Sequence, residues 1–268
     1  MKTSNNQFNP VHNAHAIVEM IVFFQFHQGA LDPHKDRLLE IREELSEEFP
    51  AYSSIQAFQI DIPSDGNPSF HPKIGFELRR LKEDASIEWL IRLDSDSISI
   101  HCLDYSRWNY VWPKIQKYSK IILEKLEKGD VSPSAIGLKY VDQFVFQGEP
   151  KDYDISNLFK RDSLILHPRS FSSACQWHSH SGWFEEIAGL GDVLNQINID
   201  SVIYEPKHYI VSIDHTCIYY NPTENALLYN QGFHQIFAEG IHKLNKSLLS
   251  DLLTDKMQQR INLGWEVM

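Results

Sequence analysis

Residues 95–128 constrain the fold more than any other stretch. Ser97-Ile98-Ser99-Ile100-His101-Cys102-Leu103 alternates as a strand does, and after a short break the period changes. From Trp108 onward, apolar residues fall at Val111, Trp112, Ile115, Ile122 and Leu126, in steps of three and four. That spacing puts them on one face of a long helix, which needs a partner surface to cover it. Lys114, Gln116, Lys117, Lys120, Glu124 and Lys125 form its wet side, and Gly129 stands where a left-handed cap is expected. Pro113 either marks the start of this helix or kinks it.

Other strands follow from composition. Residues 16–26 are rich in branched and aromatic side chains and read as a strand buried on both faces, in mid-sheet. Strands are also expected at 55–62, 73–81, 87–94, 135–146, 171–183, 193–204 and 209–220. Loops are expected at 63–68 and 221–225, and a turn at 189–192. Helices are expected at 33–49, behind an Asp32-Pro33 start, from Gln231, and at 254–262.

The fold class is therefore α+β, with antiparallel sheets backed by long helices. Gly148 marks a change to polar composition, so the expected division is 1–148 and 149–268. Each half runs from an apolar strand through an intervening segment and several strands to an amphipathic helix, the order an internal duplication would leave.

The chain carries 25 Lys and Arg against 36 Asp and Glu, a net charge of −11. Nucleic acid and anionic membranes reward basic surfaces, so both are disfavoured as partners. Three scattered cysteines form no disulfide framework, and the apolar run 20–24 is too short to span a bilayer. The expectation is a cytoplasmic protein.

Taken together, three segments resemble a patchily distributed, uncharacterised bacterial family of similar length. They are Ile17-Val18-Glu19, the Trp108 helix followed by Ile136-Gly137-Leu138-Lys139-Tyr140, and the closing Phe233-His234 helix. The resemblance implies no known activity. Its patchy distribution implies genes carried in defence or toxin–antitoxin clusters.

Candidate site residues are few. Glu19 is a carboxylate inside an apolar strand and needs a partner, for which Lys139 and Arg92 are the expected cations. Trp177 and Trp183 would form a ligand-binding patch if exposed together. His178 and His180 share a strand face and could chelate zinc or a similar divalent metal, given a third ligand from elsewhere. His215 and Cys217 also share a face, whereas His101 and Cys102 do not. No sequence signature fixes a cofactor or a catalytic residue. The functional expectation is a non-enzymatic binding protein with a protein or peptide partner; the alternative is a metal-dependent hydrolase using His178 and His180.

Overall fold

The computed structural model describes residues 8–61, 69–128, 131–188, 190–205, 208–220, 233 and 235–264. The loops expected at 63–68 and 221–225, along with Gly129 and Trp265, lie outside the described residues. The fold is α+β, with ten strands and four α-helices among the described residues. It divides into two compact units, and neither is one continuous stretch. The first comprises 1–20, 138–218 and 234–268; the second comprises 21–137 and 219–233. No helix among the described residues is long and apolar enough to cross a membrane.

In the second unit the strands are β2 (Ile17–Gln25, shared with the first unit), β3 (Ala51–Asp61), β4 (Ser69–Leu81), β5 (Ile87–Leu93) and β6 (Ser97–Cys102). They lie in the order β3-β4-β5-β6-β2, and the pairs from β3 to β6 are antiparallel. β2 is not buried on both faces, as its composition suggests. Met20, Val22 and Phe24 are buried while Ile17, Glu19, Ile21 and Phe23 are half-buried, the alternation of a strand with one core face.

Among the described residues, two α-helices complete this unit. A short 3-10 turn carrying Pro33 leads into α1 (Lys35–Leu45), which buries Leu38, Ile41 and Leu45. α2 (Trp108–Glu127) contains Pro113 inside it and buries Val111, Trp112, Ile115, Tyr118, Ile122, Leu123 and Leu126. Tyr118 meets Phe49 and Trp89 edge-on, with ring centroids 5.1 and 5.6 Å away. Charge stays at the rim: Lys125 reaches Glu44 at 2.9 Å, and Glu48 takes Lys117 and the Tyr118 hydroxyl. The Lys117 contact draws the Glu48 carboxyl below its ordinary range, although burial opposes it.

The first unit holds β1 (Phe8–Pro10), β7 (Ala135–Phe146), β8 (Trp177–Ile187), β9 (Gly191–Glu205) and β10 (His208–Tyr220). β7 begins, and β10 ends, in the second unit. The order is β7-β10-β9-β8, with β1 antiparallel to β7. Residues 171–176, expected in the strand before Trp177, instead follow or belong to a 3-10 segment at Pro168–Ser172, whose proline start disfavours extension. β8 and β9 form a long hairpin. Gly191, at φ 99°, supplies the left-handed residue at its end.

The closing helix is not α-helical throughout. Residues Gln235–Ile241 wind as a π-helix before α3 (His242–Leu252), and Gly240 within that stretch gives the α form little support. After it comes α4 (Asp255–Arg260), capped by Thr254, whose hydroxyl accepts from the Met257 N–H. The core here gathers Phe144, Phe146, Leu158, Phe159, Ile197, Val211, Ile213, Leu249 and Leu252.

Candidate functional site

The hairpin β8–β9 sorts its side chains by parity. Trp177, Ser179, Ser181 and Trp183 are half-buried, while His178, His180, Gly182, Phe184 and Glu186 are exposed. The antiparallel register sets His178 against Asp200, His180 against Asn198, Phe184 against Leu194 and Glu186 against Asp192.

Register converts the histidine pair into a triad of groups. Asp200 Oδ1 stands 2.6 Å from His178 Nδ1 and accepts its proton. That bond directs the other ring nitrogen, Nε2, away from the carboxylate, in the arrangement that orients metal-binding imidazoles. His180 lies beside it, ring centroids 6.5 Å apart. Among the described residues no group of three or more His, Cys, Asp and Glu is placed to hold a metal ion. The local chemistry is two imidazoles, one of them oriented by a carboxylate.

Trp177 and Trp183 turn the other way and pack against the hydrophobic core of the first unit. Trp183 donates to Glu185 at 3.5 Å. They are therefore no fully exposed aromatic patch; the parity that exposes the histidines turns the tryptophans inward and half-buries them. Phe184, on the same face as the histidines, is 63% exposed.

Glu19 is half-buried on β2. The two cations expected for it are engaged by other carboxylates: Lys139 Nζ lies 2.5 Å from Asp214, and Arg92 2.5 Å from Glu77.

A second constellation lies on the buried side of the same sheet. Cys217 Sγ is 3.4 Å from His215 Nε2, and both approach Asn195 Oδ1, at 3.3 and 3.2 Å. Asn245 of α3 reaches His215 Nδ1 at 2.6 Å. The Asn245 amide donates to Nδ1, so the imidazole proton sits on Nε2. Thiol, imidazole and amide are the ingredients of nucleophilic catalysis, but their setting works against it. Cys217 is fully buried and burial pushes its thiol up; burial likewise pushes His215 down to about 4. A neutral thiol beside a neutral imidazole is a polar core contact. Cys102 is similar, pushed up to about 12 by burial.

Two further groups share this interior. Tyr140 Oη lies 3.1 Å from His242 Nδ1, and burial presses His242 down to about 3. Asp142 is 3% exposed, and burial alone lifts its carboxyl to about 7.

Asp200, Asn195, Asn245 and Glu186 were not singled out by sequence. The signal for Asp200 was present: counting outward from the turn at Gly191 along both strands brings His178 opposite Asp200. Asn245 carried no comparable signal, because the helix-to-sheet contact is set by tertiary packing.

Compared with known proteins, the chain matches no family model and no curated sequence.

Proposed function

We propose that this is a non-enzymatic, cytoplasmic binding protein whose ligand is a protein or peptide, serving as an accessory component of a bacterial defence or toxin–antitoxin cluster. The observation that carries the reading is the condition of the Cys217–His215–Asn195 constellation. It has the residue types of a nucleophilic centre, yet burial holds the thiol protonated and the imidazole neutral. The exposed hairpin with Phe184 at its surface supports a macromolecular partner. The genomic setting rests on the resemblance given above.

The same reading takes the strands as antiparallel sheet material backed by long helices and descended from one duplicated half. In each unit the opening strand lies beside the last strand of a meander, β2 by β6 and β7 by β10, which supports common descent. Native mass spectrometry of the protein taken from its own cytoplasm tests the functional part. A co-purifying protein is the expected result. A purified chain that turns over a defined substrate, and loses that activity on one polar substitution, overturns the reading.

A second reading has its own observation. Asp200 accepts from His178 Nδ1 and so orients that imidazole as metal-binding histidines are oriented, which supports a metal-dependent hydrolase using His178 and His180 with a third ligand from elsewhere. Elemental analysis decides it: near-stoichiometric zinc or a similar divalent metal, abolished in His178→Ala, would favour the hydrolase.

A further inference from the structure

β8 is an open edge. Among the described residues it pairs only with β9, and it ends the strand order of its unit. It runs 11 residues without a register break against its neighbour, about twice the length of an ordinary strand. Edge strands usually carry protection in the form of lysine, proline or a bulge, because their free backbone donors and acceptors recruit other strands. Trp177–Ile187 has no lysine, arginine or proline, and its exposed face carries Phe184.

The sequence of this edge is complementary to itself when reversed. Antiparallel pairing of two β8 strands about Gly182 sets His178 against Glu186, His180 against Phe184 and Trp177 against Ile187. At the axis the two glycines leave space, and Phe184 of each copy lies diagonally beside it, the position from which an aromatic ring covers a strand glycine. Glu186 faces Asp192 across its own hairpin, a like-charge pair, and among the described residues neither carboxylate has an ion pair. An imidazole from a second copy would offset that repulsion.

We propose that β8 is the seam of a symmetric dimer, in which two copies of this chain pair antiparallel across Gly182. The occupant of the edge is the same surface on its partner, as a two-fold interface requires. This goes beyond the ligand-binding reading and does not depend on it, since a monomer could equally hold a foreign protein.

Sedimentation velocity on the purified full chain, across the micromolar range, tests the proposal. The wild-type chain is expected to dimerise as concentration rises. His178→Glu sets Glu against Glu186, and Glu186→Lys sets Lys against His178. Each contact occurs twice in the seam, so each variant weakens association by roughly tenfold. The double variant opposes glutamate to lysine and restores wild-type association to within about twofold. Phe184→Lys, an edge lysine in an otherwise unaltered charge pattern, abolishes it. A chain monomeric throughout, a dimer indifferent to either single change, or a double variant no better than the singles overturns the proposal. None of these outcomes touches the co-purification result, so the two readings fail separately.

Discussion

Each unit sets its opening strand beside the last strand of a meander, of four strands in the second unit and three in the first, but the two fill their interiors differently. In the second unit the buried polar side chains among the described residues are the hydroxyls of Ser95 and Ser119; charge is confined to its rim. In the first unit Asp142, Asn195, Ser201, His215 and Asn245 all lie inside. An apolar core specifies packing at low risk, whereas each buried polar group must be satisfied or it costs stability. One chain therefore carries two kinds of interior. Of the two interiors, that of the first unit is the one whose stability should depend on pH.

The largest effect is expected where apolar packing stands alone. Trp89 is 2% exposed and meets Tyr118 edge-on, so Trp89→Ala should cost about 3–5 kcal/mol in denaturant unfolding. A loss below about 1 kcal/mol would mean that the second unit is not held by this cluster.

Asp142 comes next, and its sign is opposite. The folded state keeps this carboxyl protonated up to about pH 7, whereas the unfolded chain releases the proton near 3.8. The fold thus binds one more proton through that window, and its stability falls as pH rises from about 4 to 7. Asp142→Asn removes the penalty and should stabilise the protein by a few kcal/mol, roughly 4 at most, above pH 7. Below pH 4 the two proteins should unfold alike. An equal effect at both ends of the pH range would show that Asp142 is not ionising in the core.

His215 works in the reverse direction. Its folded value near 4 lies below the unfolded 6.5, so stability is lost as pH falls between those values. Asn245→Leu leaves His215 Nδ1 without its donor and should cost about 1–3 kcal/mol at pH 7. If that substitution is neutral, the buried network adds little and the units differ less than their composition suggests.

Much of the architecture was legible in sequence. Period places α2 and composition places β7, because twenty residues with a 3.6 repeat and twelve rich in branched and aromatic side chains admit few alternatives. The one-sided burial of β2 was not legible, since a half-exposed Ile or Phe looks like a buried one. At the site, local alternation foretold that His178 with His180 and His215 with Cys217 share faces. Their partners came from elsewhere in the chain. Asp200 could be reached by counting out from the turn at Gly191, whereas Asn245 needed the docking of α3, which no nearby spacing encodes.

The smallest effect belongs to the rim of the second unit, and it completes the contrast. Glu77 holds Arg79 at 2.6 Å and Arg92 at 2.5 Å, and these bonds, that to Arg79 first, pull its carboxyl below the ordinary range. A depressed carboxyl contributes stability above its unfolded value of about 4.5 that is lost as pH falls, the opposite sense to Asp142. Yet Arg92 is 44% exposed, so water and salt screen the pair. Arg92→Ala should therefore cost less than about 1 kcal/mol, and the loss should shrink further in high salt. A cost as large as that of Asn245→Leu would place the polar groups of the second unit among those that hold it together, and the distinction between an apolar interior with a charged rim and a polar interior would no longer separate the two units.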